Sequence, residues 1–225
     1  QFREDRKNLP RHYEANDLGN ALEVYNYSHK VVILKGQEVA TKDGHLLTLG
    51  SKKILKDDKT LGDTLKEAYD NKAIRVADHP YATIWNGIGE KRLLEFLGEW
   101  DAIEWNAQCI DLFLFPHFLR QTRSNELAEL FSKKYQLPLI TDSDAHLGRS
   151  FLGIKGSLEQ IGLAYISFQN FGYRNGEDLI AKIKKIIRNK KYNIHKGNIS
   201  RFGFLRWCVP LYLEKTFKVD HNKHN

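Results

Sequence analysis

The stretch Leu137-Pro-Leu-Ile-Thr-Asp-Ser-Asp-Ala-His146 begins apolar and ends in acids and an imidazole. With a proline near its start, Leu137 to Thr141 reads as a short buried strand. Asp142, Ser143, Asp144 and His146 stand where that strand ends. In chains that alternate strands and helices, sites form at the carboxyl ends of strands. Asp144 and His146 are two positions apart, so both can point to one side of an extended segment. A carboxylate and an imidazole converging on one point make half of a site for Zn, Mn or Fe. The plainer alternative is a capping Asp beside a surface His.

Three other segments repeat the pattern. Glu38 follows the strand Val31–Leu34, His79 follows Ile74–Ala77, and Asn106 follows Ala102–Trp105. In a barrel such strand ends meet around one rim. A carboxylate able to bridge, two imidazoles and a second carboxylate suit a di- or trinuclear metal site. Singly each has a simpler reading; His79 before Pro80 could be a turn or core histidine. The repetition is what points to a site.

The elements that must position these groups alternate along the chain. Asn16 or Asp17 can cap a helix running to about Lys30, with Leu18, Ala21, Leu22 and Tyr25 on one face. Asp43-Gly44 is a hairpin turn signal between two strands, with Glu38 at the start of the first and His45 at the start of the second. Helices are expected over Thr60–Asn71, Lys91–Trp100, Asn125–Tyr135 and from Leu179 to about Lys191, each beside a short strand. Strand then helix, several times over, predicts a parallel-sheet α/β protein, open or barrel-shaped. Gly87-Ile-Gly89, before the Lys91 helix, is either a plain loop or a phosphate cradle at a helix N-terminus.

The 225 residues suffice for one full-sized domain, and 41% hydrophobic with 28% charged residues is ordinary for a globular protein. No apolar run approaches membrane-spanning length and no signal peptide opens the chain, so no membrane partner is expected. Cys109 and Cys208 form no CxxC motif, which fits a reducing, cytoplasmic setting. Methionine is absent even at the first position, as expected of a fragment, a processed chain or a sequence from which residues are missing. The net charge of +7 favours anionic partners. It is uneven: Leu179 to Leu213 holds no Asp or Glu but includes Lys182, Lys184, Lys185, Arg188, Lys190, Lys191, Lys196, Arg201 and Arg206. This is either a solvated helix face with a basic tail or a polyanion-binding surface. The aromatic run Phe202–Leu213 either stacks bases or packs back on the protein.

Four of these blocks together resemble the polymerase and histidinol phosphatase (PHP) family. Gly36-Gln-Glu-Val-Ala-Thr-Lys-Asp-Gly-His-Leu-Leu-Thr-Leu-Gly50 is similar to its second conserved block, and Asp78-His79-Pro80 to its His-Pro block. Ile103-Glu-Trp-Asn106 is similar to the next strand, and Ser143-Asp-Ala-His146 to the closing block. Ile161–Tyr165 and the helix from Glu177 resemble the family's ending. The blocks fall in family order over about residues 16–190.

The resemblance implies one domain over residues 1–225. Residues 16–190 would form a distorted (β/α)7 TIM-like barrel lacking its N-terminal strand or strands, and 191–225 a basic, aromatic extension. It implies a metal-dependent phosphoesterase with two or three divalent ions, Zn, Mn or Fe, acting on a phosphate mono- or diester, nucleotides and nucleic-acid ends included. Carried over by position, Glu38, His79, Asp144 and His146 become metal ligands, with Glu38 bridging and Glu38 and Asp144 catalytic. His45 becomes a supporting or packing residue and Asn106 lines the pocket, while Asp142 stands where the family commonly has a small residue, its role open between supporting a ligand and lining the pocket. The family's opening His-x-His strand is missing, and Pro10-Arg11 stands where Thr-Asp would precede His12, which otherwise falls at a ligand position. The other reading is therefore a catalytically inactive PHP-like module that binds nucleic acid or a protein partner through its basic C-terminal third.

Overall fold

The structure is a computed structural model that describes residues 12–83, 85–111, 121–145, 160 and 162–205. At its centre lies a five-stranded sheet, β4 (Gly36–Thr41), β5 (Gly44–Leu49), β6 (Ile74–Ala77), β7 (Ala102–Asn106) and β8 (Leu139–Asp142), arranged in that order. β4 and β5 form the hairpin expected from Asp43-Gly44, joined by Lys42 and Asp43. Gly44 has φ +128°, and a Cβ there would meet the backbone of Ile88 at 2.7 Å, so only glycine fits. β5 pairs antiparallel with β6, whereas β6, β7 and β8 run parallel.

The connecting helices are α1 (Leu61–Asp70), α2 (Gly89–Glu95), α3 (Thr122–Tyr135) and α4 (Gly176–Arg188). α1 starts where the Thr60 hydroxyl accepts from the Asp63 amide at 3.2 Å, and α4 where Asn175 accepts from Asp178 at 2.9 Å. One apolar layer joins Val39, Leu46, Leu61, Leu65, Leu93, Ile103 and Phe131, packing α1–α3 on one face of the sheet. A second, with Ile74, Val76, Ala102, Ile140, Leu179, Ile180, Ile183 and Ile187, packs α4 on the other. All five β7 residues are consequently buried.

A buried ion network ties α4 to the sheet. Asp101, fully buried, accepts from the Arg75 amide at 3.0 Å and meets Arg75 Nε at 3.4 Å, Lys184 Nζ at 2.9 Å and an Arg188 nitrogen at 2.5 Å. Arg75, itself 2 % exposed, also reaches Glu99 at 2.5 Å.

The barrel expected from the resemblance is not found. The sheets of the described residues are open, with three, five and two strands, and none closes on itself. The reason lies in the connections. β4 and β5 are joined by a hairpin and β6 returns antiparallel, so the repeated parallel crossovers that close a barrel are confined to β6–β8. The helix expected from Asn16 to Lys30 is also absent. β1 (Glu14–Asp17), β2 (Ala21–Tyr25) and β3 (Lys30–Leu34) form an antiparallel sheet there. Asp17 accepts from the Gly19 amide at 2.8 Å, and Asn26 accepts from the Ser28 and His29 amides at 3.0 and 2.9 Å. These side-chain-built turns outweigh the helical spacing of the apolar residues between them. β9 (Tyr165–Ser167) and β10 (Asn193–His195) pair antiparallel beside β8. Among the described residues no helix is long and apolar enough to cross a membrane.

Candidate metal centre

The hairpin places the first two donors. Glu38 pairs with Leu47 and Ala40 with His45, so Glu38 and His45 are diagonal neighbours on one face of the β4–β5 ladder. His45 Nδ1 lies 2.5 Å from Glu38 Oε1. The turn between them is clamped from outside: Asp43 accepts from the Leu61 amide at 3.0 Å and from Arg92 at 2.7 Å, fastening it to α1 and α2.

β6 delivers the next two. Ala77 pairs with Leu46, which brings Asp78 and His79 to the level of His45. His79 Nε2 lies 3.3 Å from Glu38 Oε1, 3.3 Å from His45 Nδ1 and 3.6 Å from Asp78 Oδ2. His79 is 3 % exposed, and its backbone has φ +23°. Its amide donates a short hydrogen bond to Glu104. The loop after it is fixed by the amides of Gly87 and Gly89, which donate to Ala82 and Pro80 carbonyls at 3.2 and 2.8 Å. Those amides are therefore engaged within the loop, and Gly87-Ile-Gly89 is the plain loop of the two readings.

β7 and β8 close the site from the parallel side. Asn106 stands opposite Asp142 in their register. The Asn106 amide nitrogen Nδ2 donates to Glu104 and to Asp144, each at 3.0 Å, and the Asp144 backbone amide donates to Asp142 at 2.9 Å. Asn125 of α3 holds the end of β7 by exchanging two hydrogen bonds of 2.9 Å with the Asn106 backbone. Asp144 has φ +42°, a left-handed conformation in which Asp is tolerated better than most residues.

Two groups of donors result, each with its ligand atoms within 4.8 Å of one another: Glu38, His45, Asp78 and His79, and Asp78, Glu104 and Asp142. Asp78 belongs to both. The donor chemistry, imidazole nitrogen with carboxylate oxygen, suits Zn, Mn or Fe. One further observation fits a cation. Asp78 and Glu104 are buried, yet no Lys or Arg among the described residues pairs with Asp78, Glu104 or Asp142. Glu38, with 40 % of its side chain exposed, leaves the first group open to solvent.

The electrostatics follow from this crowding. Burial pushes the Asp78 carboxyl up to about 7. Burial, reinforced by Asp142 and Asp78, holds Glu104 well above the ordinary carboxylate range, and burial also raises Asp142. Glu38 is held far below its usual value by hydrogen bonds to His45 and then His79. Burial opposes a charge on His79, but its Glu38 hydrogen bond and the charges of Asp78, Asp144 and Glu38 lift it to about 9.

Of the residues singled out from the sequence, Glu38 and His79 stand in the first donor group and Asp142 in the second, whereas Asp144, expected as a ligand, stands outside both, beside Asn106 and Asp142. His45, expected to support or pack, sits within the first donor group itself. His12 is exposed, its ring tilted against that of Tyr13 with centroids 4.6 Å apart, and it belongs to neither group. His146 lies outside the described residues. Asp78 and Glu104 were not assigned a role. Their signals are an acid directly before His79 and a lone acid inside the apolar strand Ala102-Ile-Glu-Trp105. Compared with known proteins, the chain matches no family model and no curated sequence.

Proposed function

We propose that this protein is a metal-dependent phosphoesterase that uses water to cleave a phosphate mono- or diester, the activity implied by its PHP-like blocks. The observation that carries the reading is the pair of donor groups sharing Asp78 at one end of the sheet. Glu38, His45, Asp78 and His79 would hold one divalent ion, and Asp78, Glu104 and Asp142 a second. When bound, such ions supply positive charge to phosphoryl oxygens and acidify water at neutral pH.

The chain's own residues supply the rest. Asp144, held by Asn106 and by its own link to Asp142, is the carboxylate placed to take a proton from attacking water as the new P–O bond forms. The ester P–O bond breaks on the opposite side of phosphorus, where the leaving alcohol takes its proton from solvent water. Asn106 keeps Glu104 and Asp144 in fixed relation through its two donated hydrogen bonds. The exposed side of Glu38 leaves the approach open to a substrate.

The test pairs elemental analysis of the purified chain with bis(p-nitrophenyl) phosphate hydrolysis under added Mn, Zn or Fe. Bound metal with turnover, and a loss of at least ~100-fold in kcat for Asp144→Asn at unchanged metal content, is expected from the removal of acid–base catalysis. Retained turnover in Asp144→Asn removes Asp144 from the chemistry. A chain that binds no metal and hydrolyses nothing removes the hydrolase reading.

A further inference from the structure

A second pocket lies away from the metal centre. Its volume is about 690 Å³, within the range of small-ligand sites. It opens between the exit of β9 and the end of α4, and Ser167, Phe168, Asn170, Lys190, Lys191 and Tyr192 line it. The Tyr192 hydroxyl donates to the Leu139 carbonyl at 2.7 Å, at the amino end of β8, whereas the metal-ligand candidates gather at its carboxyl end. No candidate ligand lines the pocket, and neither does any Asp or Glu.

Several cations of the basic stretch are engaged by carboxylates away from this pocket. Lys182 pairs with Asp178, Lys184 and Arg188 with Asp101, and Lys196 with Glu129. Lys190 and Lys191 have no carboxylate partner among the described residues; Lys190 only meets the Gln136 amide oxygen at 3.5 Å. The carbonyls at the end of α4, which would repel an anion, are covered. The amides of Asn189, Lys190 and Lys191 donate to Lys185, Ile187 and Ile186 at 3.0, 2.9 and 3.0 Å, around a left-handed Lys190 at φ +53°. Beside these cations Phe168 is 37 % exposed and stacked on Phe171, with ring centroids 5.9 Å apart. An exposed ring on a rigid partner is a platform for another flat ring. The side-chain amides of Asn170 and Gln169 add donors and acceptors.

We propose that this pocket binds a nucleotide unit, its base on Phe168 and its phosphate at Lys190 and Lys191, either as a free mononucleotide or within single-stranded RNA. The inference is independent of the phosphoesterase reading, because none of these residues belongs to the metal centre.

The experiment is fluorescence anisotropy of the full chain with a short fluorescein-labelled oligoadenylate, in EDTA to silence the metal centre, with AMP as competitor. Lys190→Glu/Lys191→Glu should weaken binding at least ~10-fold and flatten the log–log salt slope by roughly 1.4, two phosphate contacts on a single strand. Phe168→Ala should weaken binding ~5- to 150-fold with the salt slope unchanged, as loss of one stack does. Displacement by AMP identifies a mononucleotide pocket; binding of the strand without displacement identifies a strand contact. Both outcomes support the proposal. Wild-type affinity in both variants, or no binding of either probe, overturns it. The three positions carry little or no core packing, and far-UV circular dichroism melts check that both variants are folded.

Discussion

Replacing Asp78 with Asn tests whether the centre is built for cations. Without metal, burial keeps the Asp78 proton on in the folded state up to about pH 7, whereas an unfolded chain releases it near 3.8. The folded state therefore holds the extra proton across that window, and stability falls as pH rises through it. About three pH units at ~1.4 kcal/mol each set a ceiling of roughly 4 kcal/mol, reached above pH 7. Asn cannot ionise, yet its amide can still donate to Glu104. In EDTA, Asp78→Asn should leave stability nearly unchanged at about pH 4 and raise it by up to ~4 kcal/mol at about pH 8. With a divalent ion the gap at about pH 8 should narrow by up to ~2.7 kcal/mol, because wild type gains that much at an ion concentration a hundredfold above Kd and the variant gains less. Urea unfolding at both pH values, with EDTA and with Mn, measures all four quantities. A substitution effect that does not change with pH would mean that burial does not hold Asp78 protonated. A variant stabilised by Mn as strongly as wild type would remove Asp78 from the ligand set.

Two further expectations concern the frame. Asp101→Asn should cost about 3–5 kcal/mol in urea unfolding, because the buried Arg75 loses one of its two carboxylates and Lys184 and Arg188 lose theirs; a loss under ~1 kcal/mol would show that Glu99 alone suffices for Arg75. Gly44→Ala forces a side chain into φ +128° and onto the Ile88 backbone, and should destabilise by at least ~2 kcal/mol while weakening metal uptake measured by isothermal titration, since Glu38 and His45 flank that turn. Unchanged Mn affinity in a folded Gly44→Ala protein would uncouple the turn from the centre.

What could be read from the residues was local. The β4–β5 hairpin followed from Asp43-Gly44, and α1 from Thr60 and the spacing of Leu61, Leu65 and Ala68. The short strands at Ile74, Ala102 and Leu139 were marked by apolar runs that end in polar groups. The β1–β2 sheet was not legible, because Leu18, Ala21, Leu22 and Tyr25 also satisfy a helical period, and the Asp17 and Asn26 turns decide between the two. Strand direction was not legible either: an alternation of strands and helices does not reveal that β6 returns antiparallel to β5. In the site, His79 stood out as the polar end of an apolar strand, whereas Glu38, read as the end of Val31–Leu34, lies inside β4, and β3 belongs to another sheet. Glu104 did not stand out, because a buried acid inside a strand gains its meaning only when Asp78 and Asp142 arrive from neighbouring strands.

The clamped turn between β4 and β5 has a consequence for ion choice. With Asp43 fastened to α1 and α2, the spacing of the two strands from which Glu38 and His45 project is a property of the frame. A stiff frame discriminates by ionic radius, because a large ion such as Ca²⁺ must push the two side chains further apart than a smaller one does. It also means that little chain entropy remains to be lost on capture. The hairpin thus acts as a gauge, set while the chain folds and read afterwards by whichever ion arrives.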